Sequence, residues 1–259
     1  MGKKIIFLIA TYNQASLLGD CLKYCGRLEP QPDKYIFCEN NSSDYTLEVY
    51  QGFLGYPREL IRFWVRDDAT KNLGNPYGVI AIARQMLLKR ARQLDSDYAI
   101  FIDSDITLLY KHFIDQITCH GKDIVGAPYL RPFPEGMFLA SKWDRGDRKL
   151  WYKKSCKGFQ RCAVTSGGCL CLSRKAIQDK RLFFDPPIWN KKRKASEDFS
   201  YCIRAGKAGY KIWIDCNLQV GHYATASDYK PWMIRRDKKG KNIGYVDFSH
   251  DKANKSEKQ

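Results

Sequence analysis

The chain has 259 residues and a formal charge of +16 at pH 7, from 44 Lys and Arg against 28 Asp and Glu. At that length it can bury one full core without disulfide or metal staples, because single cores stop growing only near ~250–300 residues. Hydrophobic residues at 44%, aromatics at 14%, 19 Gly and 10 Pro are the composition of a globular protein and exclude a fibrous or disordered one.

Strand and helix patterns alternate from the start. Lys4 to Ala10 is a short β-branched apolar run, Thr11-Tyr12-Asn13-Gln14 is a turn and cap sequence, and Ala15 to Gly26 is amphipathic with helical spacing. Lys34 to Cys38 predicts a second strand, which ends in Glu39-Asn40-Asn41-Ser42-Ser43-Asp44, and Tyr45 to Gly52 resumes helical spacing. Leu60 to Val65 predicts a third strand and Tyr77 to Leu94 a long helix. Tyr98 to Ile102 predicts a fourth strand that runs into Asp103-Ser104-Asp105. The alternation implies a mainly parallel, doubly wound sheet. In such sheets ligands bind beyond the carboxyl ends of the strands, where Thr11 to Gln14, Glu39 to Asp44 and Asp103 to Asp105 all fall.

Two carboxylates one residue apart, after a buried strand, suit Mg²⁺ or Mn²⁺ held together with a diphosphate. Further on, Ser196-Glu197-Asp198 opens a helical stretch through Arg204. Ser196 is suited to cap it, and one of the adjacent carboxylates is suited to act as a general base. Gly221-His222 follows the strand-like Lys211 to Ile214, which places a histidine where a metal or phosphate would be met.

Ten cysteines form no paired C-x-x-C units. With no secretory leader evident, they read as reduced, mostly buried thiols in a cytoplasmic protein. No apolar run approaches the ~18 residues of a membrane span, so any membrane contact would be peripheral.

Charge is distributed unevenly. The first 140 residues hold 16 basic against 16 acidic side chains, residues 141–194 hold 16 against 4, and the remainder 12 against 8. The basic middle also holds Trp143, Trp151, Tyr152, Phe159 and Trp189, with Trp232 beyond. Cations interleaved with flat rings suit a nucleic-acid strand, an anionic membrane surface or an acidic glycan.

Taken in order, Ile5 to Asn13, Cys38 to Asp44, Asp103-Ser104-Asp105 and Ser196-Glu197-Asp198 with Arg204 and Gly209-Tyr210 resemble the successive motifs of family 2 glycosyltransferases with the GT-A fold. The resemblance spans roughly residues 3–225. It implies an α/β, Rossmann-like architecture with a mainly parallel central sheet and an acceptor-binding C-terminal portion. The expected division is a GT-A domain over 1–228, with donor half 1–108 and acceptor half 109–228, and a basic extension over 229–259.

The resemblance further implies a nucleotide-sugar donor, a UDP-sugar by expectation, and Mn²⁺ or Mg²⁺. Thr11 and Tyr12 would line the base pocket, Glu39 and Asn40 would contact base or ribose, and Arg84 would lie near the nucleotide. Asp103 would approach the ribose and share the metal with Asp105 and His222. Asp198, with Glu197 beside it, would act as the base of an inverting transfer. The acceptor expected from the charge is polyanionic, with modified DNA and anionic or lipid-linked glycans as the candidates. A nucleotidyltransferase would carry a Gly-rich loop after the first strand, and Ala10 to Ser16 has no Gly. A catalytically silent nucleic-acid-binding module would not need Asp103, Asp105 and Asp198 together.

Overall fold

The computed structural model describes residues 2–65, 76–129, 137–143, 149–153, 155–185, 188–190, 193–222, 234–236 and 242–245. Its centre is an eight-stranded sheet. In chain order the strands relevant to the site are β1 (Ile5–Thr11), β2 (Lys34–Glu39), β3 (Arg58–Arg62), β4 (Tyr98–Ile102), β5 (Ile106–Thr107), β6 (Ile124–Gly126), β7 (Met137–Trp143), β8 (Lys149–Lys153), β9 (Phe159–Cys162), β10 (Val164–Thr165) and β11 (Cys169–Ser173). After β12 (Ile188–Asn190) and β13 (Arg193–Ala195) come β14 (Ile212–Asp215) and β15 (Gly221–His222). The sheet order is β3-β2-β1-β4-β11-β6-β14-β9.

β1, β2, β3 and β4 run parallel to one another, as does β14 with β6. β11 runs antiparallel to both β4 and β6, and β9 antiparallel to β14. The sheet is thus mainly parallel, with two reversed strands.

Every residue of β1 is buried, because both sheet faces are covered, the usual state of a parallel sheet. Ile6 and Leu8 meet Leu87, Leu88 and Ala91 of the helix Pro76–Leu94 on one face. Ile5, Phe7 and Ile9 meet Leu18, Cys21, Leu22 and Cys25 of the helix Ala15–Cys25 on the other. Burying a large apolar side chain is worth roughly 1.5–3 kcal/mol, so this two-sided β1 is a major source of cohesion.

Predicted and observed elements agree closely, with informative differences. The third strand begins two residues earlier than expected, at Arg58, and pairs with β2 through Glu39↔Arg62. The first helix is not capped from its own preceding turn. Asp44 Oδ2, on the β2 side, accepts from Ala15 N at 3.0 Å, while Asn13 Oδ1 accepts from Ser43 N at 2.8 Å. The two loops predicted separately after β1 and β2 are therefore laced together. Asn13 and Asn41, both at positive φ, make the turns.

Candidate active site

The carboxyl ends of β2, β1 and β4 lie side by side, so the three polar clusters read in the sequence share one edge. Thr11 and Glu39 are direct partners across β1 and β2. Glu39 is almost wholly buried. One of its oxygens accepts from Ser42 N and the other from Arg62 Nε at 3.0 Å. Asn40 Oδ1 accepts from Val65 N at 3.1 Å. Both side chains shape this rim through backbone and Arg62 contacts. Thr11 Oγ1 is buried without a partner, whereas Tyr12 is half exposed, with its ring available to a planar base.

Arg84 lies deeper than the sequence suggests. It is 2% exposed on the helix Pro76–Leu94 and joins two acidic motifs far apart in the chain. Its Nη2 donates to both oxygens of Asp103, at 2.7 and 2.8 Å, and its Nη1 donates to Glu197 Oε1. Burial works against its charge, but Asp103, Glu197 and Asp198 outweigh that and raise its pKa, so the guanidinium stays protonated. Asp103 N is fixed by Gly168 O at 2.9 Å.

Asp198, also buried, sits at the start of the helix Glu197–Lys207. Its Oδ2 accepts from Gly167 N at 2.9 Å, and its Oδ1 accepts from the Ser196 hydroxyl and from Phe199 N at 2.7 Å. Ser196 occupies the cap position, but its hydroxyl turns to this carboxylate and makes no side-chain capping bond to the helix backbone.

Asp105 and His222 are brought together by a short ladder, in which His222 pairs with Ile106. His222 Nε2 stands 3.5 Å from Asp105 Oδ2, and Asp105 Oδ1 and His222 Nδ1 are buried without partners. The pair thus combines carboxylate oxygen and imidazole nitrogen with unused bonding capacity on both residues, a donor set that fits Mn²⁺ or Mg²⁺. Asp103 is less free for that role, because both its oxygens hold Arg84. Among the described residues no three His, Cys, Asp or Glu side chains form a complete metal cage, so such an ion would draw further ligands from a diphosphate and water.

Two further components escaped sequence reading. Gly167 and Gly168 precede β11, and a Cβ at Gly167 would lie 2.6 Å from an Arg84 guanidinium nitrogen and 3.1 Å from the Asp198 Cβ. At Gly168 it would lie 2.5 Å from the Tyr129 hydroxyl and 2.8 Å from Asp103 Oδ2. Only glycine lets this backbone approach both carboxylates, and a Gly pair before an apolar strand is the signal that could have been read. Tyr129, buried, lays its ring 4.5 Å from that of His222, and burial followed by the Asp103 charge keeps its phenol protonated.

One guanidinium thus faces Asp103, Glu197 and Asp198. The acidic surplus is reflected at Glu197, whose pKa is pushed up to about 8, first by burial and then by Asp198, against the opposing pull of Arg84. The folded state therefore holds a proton there that the unfolded chain releases near the ordinary value of 4.5. Stability from this group is fully present below that value and is lost as pH rises towards 8, on the order of a few kcal/mol at most. Glu197→Gln, which mimics the protonated acid, is expected to flatten the fall in melting temperature between pH 5 and pH 8. An unchanged slope in thermal scans would refute the assignment.

Of the aromatic residues named in the basic middle, Phe159 and Tyr152 are the ones whose side chains are described, and both are engaged by the fold. Phe159 has both ring faces occupied, by His120 at 3.8 Å and Trp213 at 4.9 Å. Tyr152 donates its hydroxyl to Arg161 O. The side chains of Trp143, Trp151, Trp189, Trp232, Lys153, Lys154, Lys191 and Lys192 lie outside the described residues, as does most of 229–259.

A mainly parallel sheet with its acidic motifs gathered at the strand ends is the arrangement expected of a GT-A glycosyltransferase fold, and the comparisons with known proteins bear it out. The profile of glycosyl transferase family 2 matches residues 6–180, and the chain belongs to that family. No curated protein sequence matches it.

Among solved structures it is similar to TarS 1–349 from S. aureus, with a TM-score of 0.53 and 16% identity over 84% of this chain and 59% of that one. That fragment has also been solved in complex with UDP. It is similar to the mannosyltransferase PcManGT from Pyrobaculum calidifontis in complex with GDP-Man and Mn²⁺, at TM-score 0.52 and 10% identity, covering 83% and 57%. The A197 protein from STIV matches at TM-score 0.51 and 12% identity over 96% of this chain and 99% of that one. The chain thus spans under two thirds of the TarS fragment and of PcManGT. Among the described residues no helix is long and apolar enough to cross a membrane.

Proposed function

We propose that this chain transfers a sugar from a nucleotide-sugar donor, by expectation a UDP-sugar, to a hydroxyl of a polyanionic acceptor, with inversion. The observation that carries the reading is the meeting of Asp103 and Asp105 with Glu197, Asp198 and His222 around Arg84 and Gly167-Gly168. Residues 1–108 form the donor half in this reading, and 109–228 supply the base and the acceptor side.

Thr11 and Tyr12 take the nucleobase at the β1 end, with Glu39 and Asn40 holding the shape of that pocket. Asp103 is held in one orientation by Arg84 and faces the ribose. Asp105 and His222 would hold a divalent Mn²⁺ or Mg²⁺, which would supply positive charge against that developing on the departing diphosphate. Asp198 takes the proton from the acceptor hydroxyl as it attacks the anomeric carbon. Glu197, kept largely protonated beside it, adds no second negative charge that would repel the diphosphate.

A polyanionic acceptor, modified DNA or an anionic glycan, is supported by the excess of 16 basic over 4 acidic residues in 141–194.

Thermal scans against a panel of nucleotide sugars, with and without Mn²⁺, test the donor side. One donor is expected to raise the melting temperature only with metal, and Asp105→Ala should lose that increment while keeping the metal-free melting point. Transfer by the responsive donor should weaken as salt is raised. No metal-linked stabilisation by any nucleotide sugar would overturn the enzyme reading in favour of a silent binding module. Salt-insensitive transfer would remove the polyanion alone.

A further inference from the structure

All ten cysteines are free thiols, eight of them buried, with Cys156 half-buried and Cys119 exposed. We propose that Cys156 and Cys216 form an oxidation site that closes to a disulfide. The inference stands independently of the glycosyl-transfer reading.

The Cys216 thiol donates to Cys156 Sγ at 2.7 Å, within about 0.7 Å of a covalent sulfur–sulfur bond. The backbone holds the two residues in place. In the β9–β14 ladder Asp215 pairs with Phe159, Cys216 N donates to Gly158 O at 2.9 Å, and Gly158 N donates to Asn217 Oδ1 at 3.0 Å. Gly158, at φ +72°, makes the turn that sets Cys156 beside Cys216. Closure therefore asks for side-chain rotation within a fixed frame. By contrast, Cys21 and Cys25 share one helix, and Cys169 and Cys171 share one strand, so neither pair gains a new cross-chain tie by oxidation.

The two thiols are unequal. Cys216 is buried, and burial together with its bond to Cys156 holds it in the thiol form. Cys156 is the one that a small oxidant reaches, and accessibility selects the attacking sulfur. With hydrogen peroxide as oxidant, Cys156 sulfur attacks one peroxide oxygen and becomes a sulfenic acid, and the other oxygen leaves as water with the thiol proton. Cys216 sulfur then attacks Cys156 sulfur, and the sulfenic oxygen leaves as a second water with the Cys216 proton. Two thiols and one peroxide become one disulfide and two waters, each sulfur losing one electron. The bond would tie the turn before β9 to the segment that leads from β14 into His222.

The test is peptide mapping of the folded wild-type chain after peroxide, with denaturing alkylation and digestion without reductant. The expected result is a 156–216 cross-linked peptide, two hydrogens lighter than its parts, in most chains, and restored to two free-thiol peptides by dithiothreitol. Cys119 serves as the internal control for oxidant exposure. Oxidation of Cys119 while Cys156 and Cys216 are both recovered as alkylated thiols would overturn the proposal, and so would Cys156 paired with any other cysteine. Because the mapping uses the wild-type protein, no outcome depends on a variant folding.

Discussion

Asp198→Asn should lower sugar transfer by about 10²- to 10⁴-fold, the usual contribution of a positioned general base, while nucleotide-sugar affinity stays near wild type. The carboxylate is an acceptor at both oxygens, from Gly167 N at 2.9 Å and from Ser196 and Phe199 N on the other side. Asparagine can reproduce only one side of this arrangement, because its amide nitrogen is a donor and would face another donor. A cost of roughly 1–3 kcal/mol is expected for the mismatch, so the variant should fold but melt earlier. Single-turnover kinetics at saturating donor separate the two effects: the rate constant falls and the donor dissociation constant does not. A variant with wild-type turnover would exclude Asp198 as base.

Arg84→Ala is expected to be the most damaging single substitution for stability. The guanidinium is 2% exposed and answers Asp103 through two bonds and Glu197 through a third. Removing one member of a buried charged set typically costs ~3–5 kcal/mol, because the partners stay buried without compensation. At about 2–4 °C per kcal/mol for a domain of this size class, the melting temperature should drop by about 6–20 °C. Arg84→Lys keeps the charge but not the planar fork that spans two carboxylates, and should fall between. Adding Asp103→Asn to Arg84→Ala should recover part of the loss, since one orphaned charge is then removed. An Arg84→Ala chain that melts with the wild type would show that the network does not hold the two motifs together.

The same network marks where sequence reading reached its limit. Asp103, Asp105, Glu197, Asp198 and His222 were all legible as candidates, each standing at a strand end or helix start where local pattern is informative. Arg84 was legible only through family resemblance, which gave no sign that it is buried between Asp103 and Glu197, 113 residues from the latter. Glu39 and Asn40 were recognised as rim residues, but not their ties to Arg62, Ser42 and Val65. The close approach of the Gly167-Gly168 backbone to Arg84, Asp198, Tyr129 and Asp103 had no local signature beyond two adjacent glycines.

By itself the sequence determined the alternation of strands and helices, the mainly parallel sheet and the placement of polar motifs at carboxyl ends. Apolar periodicity reports which faces a segment must bury, and β1 and β4 had to be covered on both sides. Tertiary structure alone decided the reversed directions of β11 and β9, the capping of one helix by Asp44, the shared guanidinium and the meeting of Cys156 with Cys216. Each is a contact between segments far apart in the chain. Periodicity states that a surface will be buried, but only the folded packing decides which residue lies against it.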